Sequence, residues 1–222
     1  MNASPEPVIP ARLRTAIERD LRPVAPLARP AIRSLALLPF ALLLLVASVV
    51  AFGLRRDAGA LGLMRTWGAS TLQMALGLTL VAGALREAVP GTTLSRRALG
   101  TSFATPMIAV LTITWMTWSA SPTRVSPRAI SYVWRICFEA TIISALPALF
   151  VSGWLVARAF PLRPRFAGAL YGLGAGLMAD AGWRLFCHFS DPAHVFAAHT
   201  AAVAVTCGLG ALLASAVNWL RQ

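Results

Sequence analysis

Long apolar runs, broken by short stretches of arginine, proline and glycine, set the pattern of this chain. Six runs cover residues 31–53, 66–85, 98–118, 136–157, 166–186 and 194–220. They are apolar all round for about twenty residues, the length that crosses the hydrocarbon core of a bilayer. They lack the polar face of a helix packed on a water-soluble core. Strands are excluded as spanning elements, because an open sheet edge has no hydrogen-bond partner in lipid and the runs exceed the length of a barrel strand. Trp67, Trp115, Trp118, Trp134, Trp154, Trp183 and Trp219 fall towards the ends of the runs, where amphipathic rings favour the membrane interface. The pattern predicts an all-α membrane protein, a six-transmembrane-helix bundle over 31–222, with a short cytoplasmic N-terminal arm over 1–30.

The arm has a different period. Over 9–22, Ile9, Leu13, Ala16, Ile17 and Leu21 share one face of a helix, and Arg12, Arg14, Glu18 and Arg22 take the rest. Pro23, Pro26 and Pro30 end that helix and stiffen the link to the first span. Such a helix either lies in the lipid headgroups or presents Leu13, Ile17 and Leu21 to the groove of a partner. Because these first residues are charged and proline-rich, the first apolar run is expected to be a retained anchor rather than a cleaved leader.

Composition sharpens the class. The chain is 57% hydrophobic and only 13% charged, too little polar surface to cover a soluble domain of 222 residues. Its net charge of +12 comes from arginine, with no lysine. So basic a chain raises the question of nucleic acid. The arginines, however, sit in loops and at helix ends, with no basic stripe interleaved with aromatics, so no direct nucleic-acid binding is expected. With six spans both termini share a side, and thirteen of the twenty arginines lie there. The positive-inside rule then predicts a multi-pass membrane protein with both termini cytoplasmic.

That orientation puts Cys137 and Cys187 at the outer ends of the fourth and fifth spans, at similar depth. A short loop joins these spans, so they are antiparallel neighbours. Cys137, Ala140, Thr141, Ser144, Ala148 and Ser152 form a small-residue stripe on one; Gly168, Gly172, Gly176, Asp180, Arg184 and Cys187 form a stripe on the other. Packing the two stripes together brings the cysteines into contact. Three readings stay open: a plain disulfide staple, a redox- or metal-responsive pair, and unpaired thiols. Cys207, in the middle of the sixth run, reads as a small packing residue.

Two ion pairs are expected inside the bundle, Asp180 with Arg184 and Arg135 with Glu139, each four residues apart on a helix. Both lie near one interface, which favours fixing helix register over carrying a proton or ion. His188, Asp191, His194 and His199 surround the last outer loop beside Cys187, but their spacing fits no established zinc pattern, so no metal site and no cofactor are expected. No catalytic constellation is present, and an enzyme is not expected.

Several segments together resemble one family. They are 20–27 (DLRPVAPL), 88–91 (AVPG), the stretch from Cys137 to Pro147, the run 161–165 (PLRPR) before a glycine-rich helix, and Cys187 followed by His199. Their order and spacing over nearly the whole chain resemble the NrsF family of membrane anti-sigma factors, negative regulators of extracytoplasmic-function sigma factors. The resemblance implies six spans in the inner membrane and a sigma-factor partner. It also implies paired outward cysteines at Cys137 and Cys187 and a sigma-facing segment in the arm. The expected function is sequestration of an extracytoplasmic-function sigma factor, released on a periplasmic redox or metal signal. The alternatives are a small multi-pass transporter, a membrane thiol oxidoreductase or a passive assembly subunit. An oxidoreductase of the disulfide-transfer kind is disfavoured by the lack of a Cys-x-x-Cys pair.

Overall fold

The computed structural model describes residues 10–20 and 27–221, and all regular structure among them is helical. Seven helices follow in order: α1 (Ala11–Asp20), α2 (Pro30–Phe52), α3 (Ala58–Glu87), α4 (Arg96–Ala120), α5 (Ile130–Ala157), α6 (Pro164–Arg184) and α7 (Pro192–Trp219). Five of them, α2, α3, α4, α5 and α7, are long and apolar enough to cross a membrane. α6 is not among these five. It is 21 residues long, glycine-rich, and buried along nearly its whole length. Its hydropathy is diluted by the glycines that let the other helices close around it.

Those glycines decide the packing. A Cβ at Gly168 would strike the carbonyl oxygen of Gly210, and one at Gly172 the carbonyl oxygen of Thr206, both on α7. The relation is reciprocal, since a Cβ at Gly210 would strike the carbonyl oxygen of Gly168. On another face, Gly174 of α6 and Gly77 of α3 meet in the same way, with each added Cβ about to collide at 2.6–2.7 Å with the other's carbonyl. Close backbone approach of this kind favours one particular pairing of helices over the others.

This corrects the expected pairing of stripes. The Gly168–Gly172–Gly176 stripe packs on α7, not on α5. α5 meets α6 through large side chains: Trp183 Nε1 donates to Ser144 Oγ at 2.9 Å, and the Tyr171 ring fills the space over Gly153. Bulky rings hold those two backbones apart, whereas α7 offers its own glycine to the glycines of α6.

Interruptions in the helices have local causes. α2 tightens to a 3₁₀ turn at Leu35–Leu37, just before Pro39, which has no N–H to continue the ladder. α3 kinks at Gly62, whose φ of +74° is a left-handed conformation that costs glycine little. α3 and α7 each contain one π-helical turn, Met64–Gly68 and Val195–Thr200. α5 begins at Ile130, six residues before the apolar run, because Arg135 is tolerated on an exposed helix face. Cys137 therefore lies two turns inside α5 rather than at its outer end, while Cys187 lies three residues beyond the last residue of α6.

α1 carries no buried residue; Leu13 is 52% and Ile17 45% exposed. Leu21 and Ile9, assigned from the sequence to the same face, lie outside the described residues.

Candidate functional site

Cys137 and Cys187 are brought together from different helices. Their Sγ atoms are 3.9 Å apart, both side chains are buried, and both are free thiols. Val133, Trp134, Phe138, Phe189 and Ala198 enclose the pair in apolar surface. Cys187 is positioned by the turn that ends α6, its amide N donating to the Trp183 carbonyl at 2.8 Å.

The loop that follows is fastened from two sides. Arg55, in the α2–α3 loop, is only 7% exposed. Its Nη2 donates to Ser190 Oγ at 2.8 Å, and its backbone N donates to the Leu185 carbonyl at 2.8 Å. Asp57 holds the guanidinium through two contacts, Nε to Oδ1 at 2.6 Å and Nη2 to Oδ2 at 2.9 Å. Burial pushes the Asp57 carboxyl up, but the adjoining Arg55 outweighs it and leaves the group below the usual carboxylate range. From the α4–α5 loop, Thr123 donates to the His188 carbonyl and accepts from the Ser190 amide.

Two histidines complete the cluster. His194 Nε2 is 3.4 Å from Cys187 Sγ, and His199 lies behind it with ring centroids 5.2 Å apart. Both are almost fully buried. Five residues separate them, which on an α-helix would turn them about 140° apart. The π turn at Val195–Thr200, with its i→i+5 bonding, aligns them on one face instead. One potential ligand atom from each of Cys137, Cys187, His194 and His199 lies within 4.8 Å of every other.

Asp180 stands behind the quartet. Its Oδ1 faces His199 Nδ1 at 2.6 Å; its Oδ2 accepts from Arg184 Nε at 2.9 Å and from Gln73 Nε2 at 2.5 Å. Asp180 is 1% and Gln73 0% exposed. One carboxylate thus ties α3, α6 and α7 together directly beneath the thiols.

The chain matches NrsF, a family described as negative regulator of sigma F, over residues 18–219. It belongs to that family. No curated protein and no solved structure matches it. The NrsF match takes in all six long helices and both cysteines of the pair, but Leu13 and Ile17 of the arm precede it.

Of the residues singled out in this NrsF sequence, the structure joins Cys137 to Cys187 and Asp180 to Arg184. Arg135 and Glu139 also meet, Nε to Oε1 at 2.8 Å, but on an open face with side chains 77% and 50% exposed. His188 and Asp191 stand outside the quartet. Periodicity missed Gln73, which reads as one polar residue in an apolar run, and Arg55 with Asp57, which read as loop charges. It also missed Glu87. That residue, wholly buried at the other end of the bundle, accepts from Arg163 at 2.6 and 2.9 Å and from the Leu94 amide at 2.6 Å.

Proposed function

We propose that this chain is a membrane-embedded anti-sigma factor whose cytoplasmic arm holds an extracytoplasmic-function sigma factor, and that a chemical change at Cys137 and Cys187 releases it. One observation carries the reading: two thiols from separate helices lie in contact above a carboxylate that links three helices, in a chain whose family regulates a sigma factor negatively.

Membrane embedding is supported by the exterior. Leu43, Val50, Ile108, Trp115, Ile143 and Phe150 are all at least 60% exposed, a surface suited to acyl chains rather than water. α6 acts as the sixth crossing, screened from lipid by its neighbours. Six crossings return both termini to one side, and the arginine excess there favours the cytoplasm. The thiol pair then faces the cell envelope outside the inner membrane, where disulfides persist.

Two inputs suit the pair. An envelope disulfide exchanges with the two thiols: its S–S bond breaks to give two thiols, and a Cys137–Cys187 bond forms, with electrons and protons conserved. A thiophilic cation displaces two protons instead. Either input changes the separation of α5 and the end of α6. α6 transmits the displacement to Arg163, and the Arg163–Glu87 pair lies at the end of the bundle where Pro30 joins the arm to α2. Arg33, which donates to the Leu155 carbonyl, carries the movement of α5 to the same place.

The test is a sigma-dependent reporter. Replacing Cys137 and Cys187 together with serine is expected to lock it in one state. A reporter that still responds to inducer as before overturns the sensing part. Leu13→Asp with Ile17→Asp should release the sigma factor and give constitutive expression without loss of the membrane protein; unchanged repression rules out the arm as the holding surface.

A further inference from the structure

We propose that Cys137, Cys187, His194 and His199 form a tetrahedral Cys₂His₂ site for a thiophilic divalent d¹⁰ cation, zinc or cadmium, with Asp180 as the residue that positions His199. The inference deepens the sensing reading above and rests on it only for what binding would trigger.

Two of the separations match the edges of such a site, and the other ligand atoms lie close by. Zinc binds thiolate at about 2.3 Å and imidazole nitrogen at about 2.0–2.1 Å, so the edges of its tetrahedron are about 3.8 Å between sulfurs and about 3.6 Å between sulfur and nitrogen. The corresponding separations here are 3.9 Å for Cys137 Sγ to Cys187 Sγ and 3.4 Å for Cys187 Sγ to His194 Nε2. All four ligand atoms lie within 4.8 Å of one another. The four residues come from α5, the α6–α7 loop and α7, and each is held by its own element before any ion arrives.

The shell behind the ligands fits as well. A carboxylate accepts only, so Asp180 Oδ1 fixes the proton of His199 on Nδ1 and leaves Nε2 as the donor to a metal. This carboxylate–imidazole pairing is the usual support of a zinc-bound histidine. Asp180 is itself held by Arg184 and Gln73, so the imidazole plane is set from below.

Charge balance favours a divalent ion in so buried a place. Two thiols lose their protons to solvent as the cation arrives, and two thiolates with two neutral imidazoles cancel its charge. Asp180 and Arg184 already cancel each other. A small cleft lined in part by Arg55, Thr117, Arg184, Cys187, Ser190 and His199 adjoins the site.

The experiment is a cobalt(II) titration of the full chain in lipid nanodiscs, with the cysteines reduced. Saturation near one cobalt per chain is expected, with the ligand-field absorption of a tetrahedral site and a thiolate-to-cobalt charge-transfer band, both lost on adding zinc. Cys137→Ser and His199→Ala should abolish the tetrahedral spectrum. His194→Ala, which leaves the Asp180 network intact, should weaken binding at least tenfold. Asp180→Asn should weaken it about 10–100-fold and alter its pH profile. His188→Ala should bind as the unmodified chain does. Absence of the spectrum in the unmodified chain, or a spectrum unchanged by both His194→Ala and His199→Ala, overturns the site. The reporter separates the two readings: metal binding without a reporter response leaves the site standing and removes sensing, whereas a response without binding does the reverse.

Discussion

Asp180 binds three partners at once, and each of them depends on its charge. Arg184 shares its helix, while Gln73 and His199 reach it from α3 and α7. Arg184→Met leaves a buried carboxylate without its cation and should cost about 3–5 kcal/mol, whereas Gln73→Leu removes one neutral donor and should cost about 1–3 kcal/mol. Thermal unfolding in nanodiscs should rank them in that order. Asp57 gives a pH dependence. Its carboxyl is held below the unfolded value, so its contribution is complete above about pH 4 and is lost as pH falls through the lower folded value. Protection of the Arg55 amide, whose N–H donates to Leu185, measured against its intrinsic exchange rate at each pH, should fall on acidification in the native chain. In Asp57→Asn that protection should be low at every pH. At this scale the sequence disclosed the Asp180–Arg184 pair, because a four-residue spacing is local, and missed Gln73 and His199, because they approach from other helices.

Two elements carry more than their share of the architecture. α6 is the axis of the bundle because glycine faces both α3 and α7 from it. Gly172→Leu would drive a side chain into the backbone of Thr206 and Cys207, with no flexible tip able to yield. It should destabilise the bundle by several kcal/mol, or prevent its assembly. Gly208→Leu, where an added Cβ meets nothing within 4 Å, should be accepted, and thermal unfolding of the two variants compares them directly. The π turn of α7 sets the faces of His194 and His199. Deleting the exposed Ala197 converts their spacing to four residues on an α-helix, which also leaves them on one face. That deletion should retain the cobalt spectrum, whereas an alanine inserted beside Ala197 should abolish it. The glycine stripe was legible as a packing face, but which neighbour it received was not, since small residues announce a close contact without naming its partner.

As a whole, the molecule places its two polar clusters at opposite ends. Arg55, Asp57 and Ser190 brace the thiol end, and Glu87, Arg163 and Arg33 brace the end where the arm begins. The proposed topology makes the loops after α2, α4 and α6 external and those after α3 and α5 cytoplasmic. Alkaline phosphatase fused within 121–129 or 185–191 should therefore be active, and fused within 88–95 or 158–163 inactive. The reverse pattern would turn the thiol pair towards the cytoplasm and remove the sensing reading.

The sequence by itself determined the helical class, the long apolar helices, the short helix over 11–20 and the family. These follow from periodicity, run length and the order of short motifs, which are properties of neighbouring residues. Tertiary structure alone decided that α6 lies at the centre, that its glycines receive α7 and α3, and that Cys137, Cys187, His194 and His199 converge above Asp180. Those facts depend on which helices approach and on one π turn that rotates a helix face. A hydropathy pattern measures how much surface a helix must hide, but not which neighbour hides it.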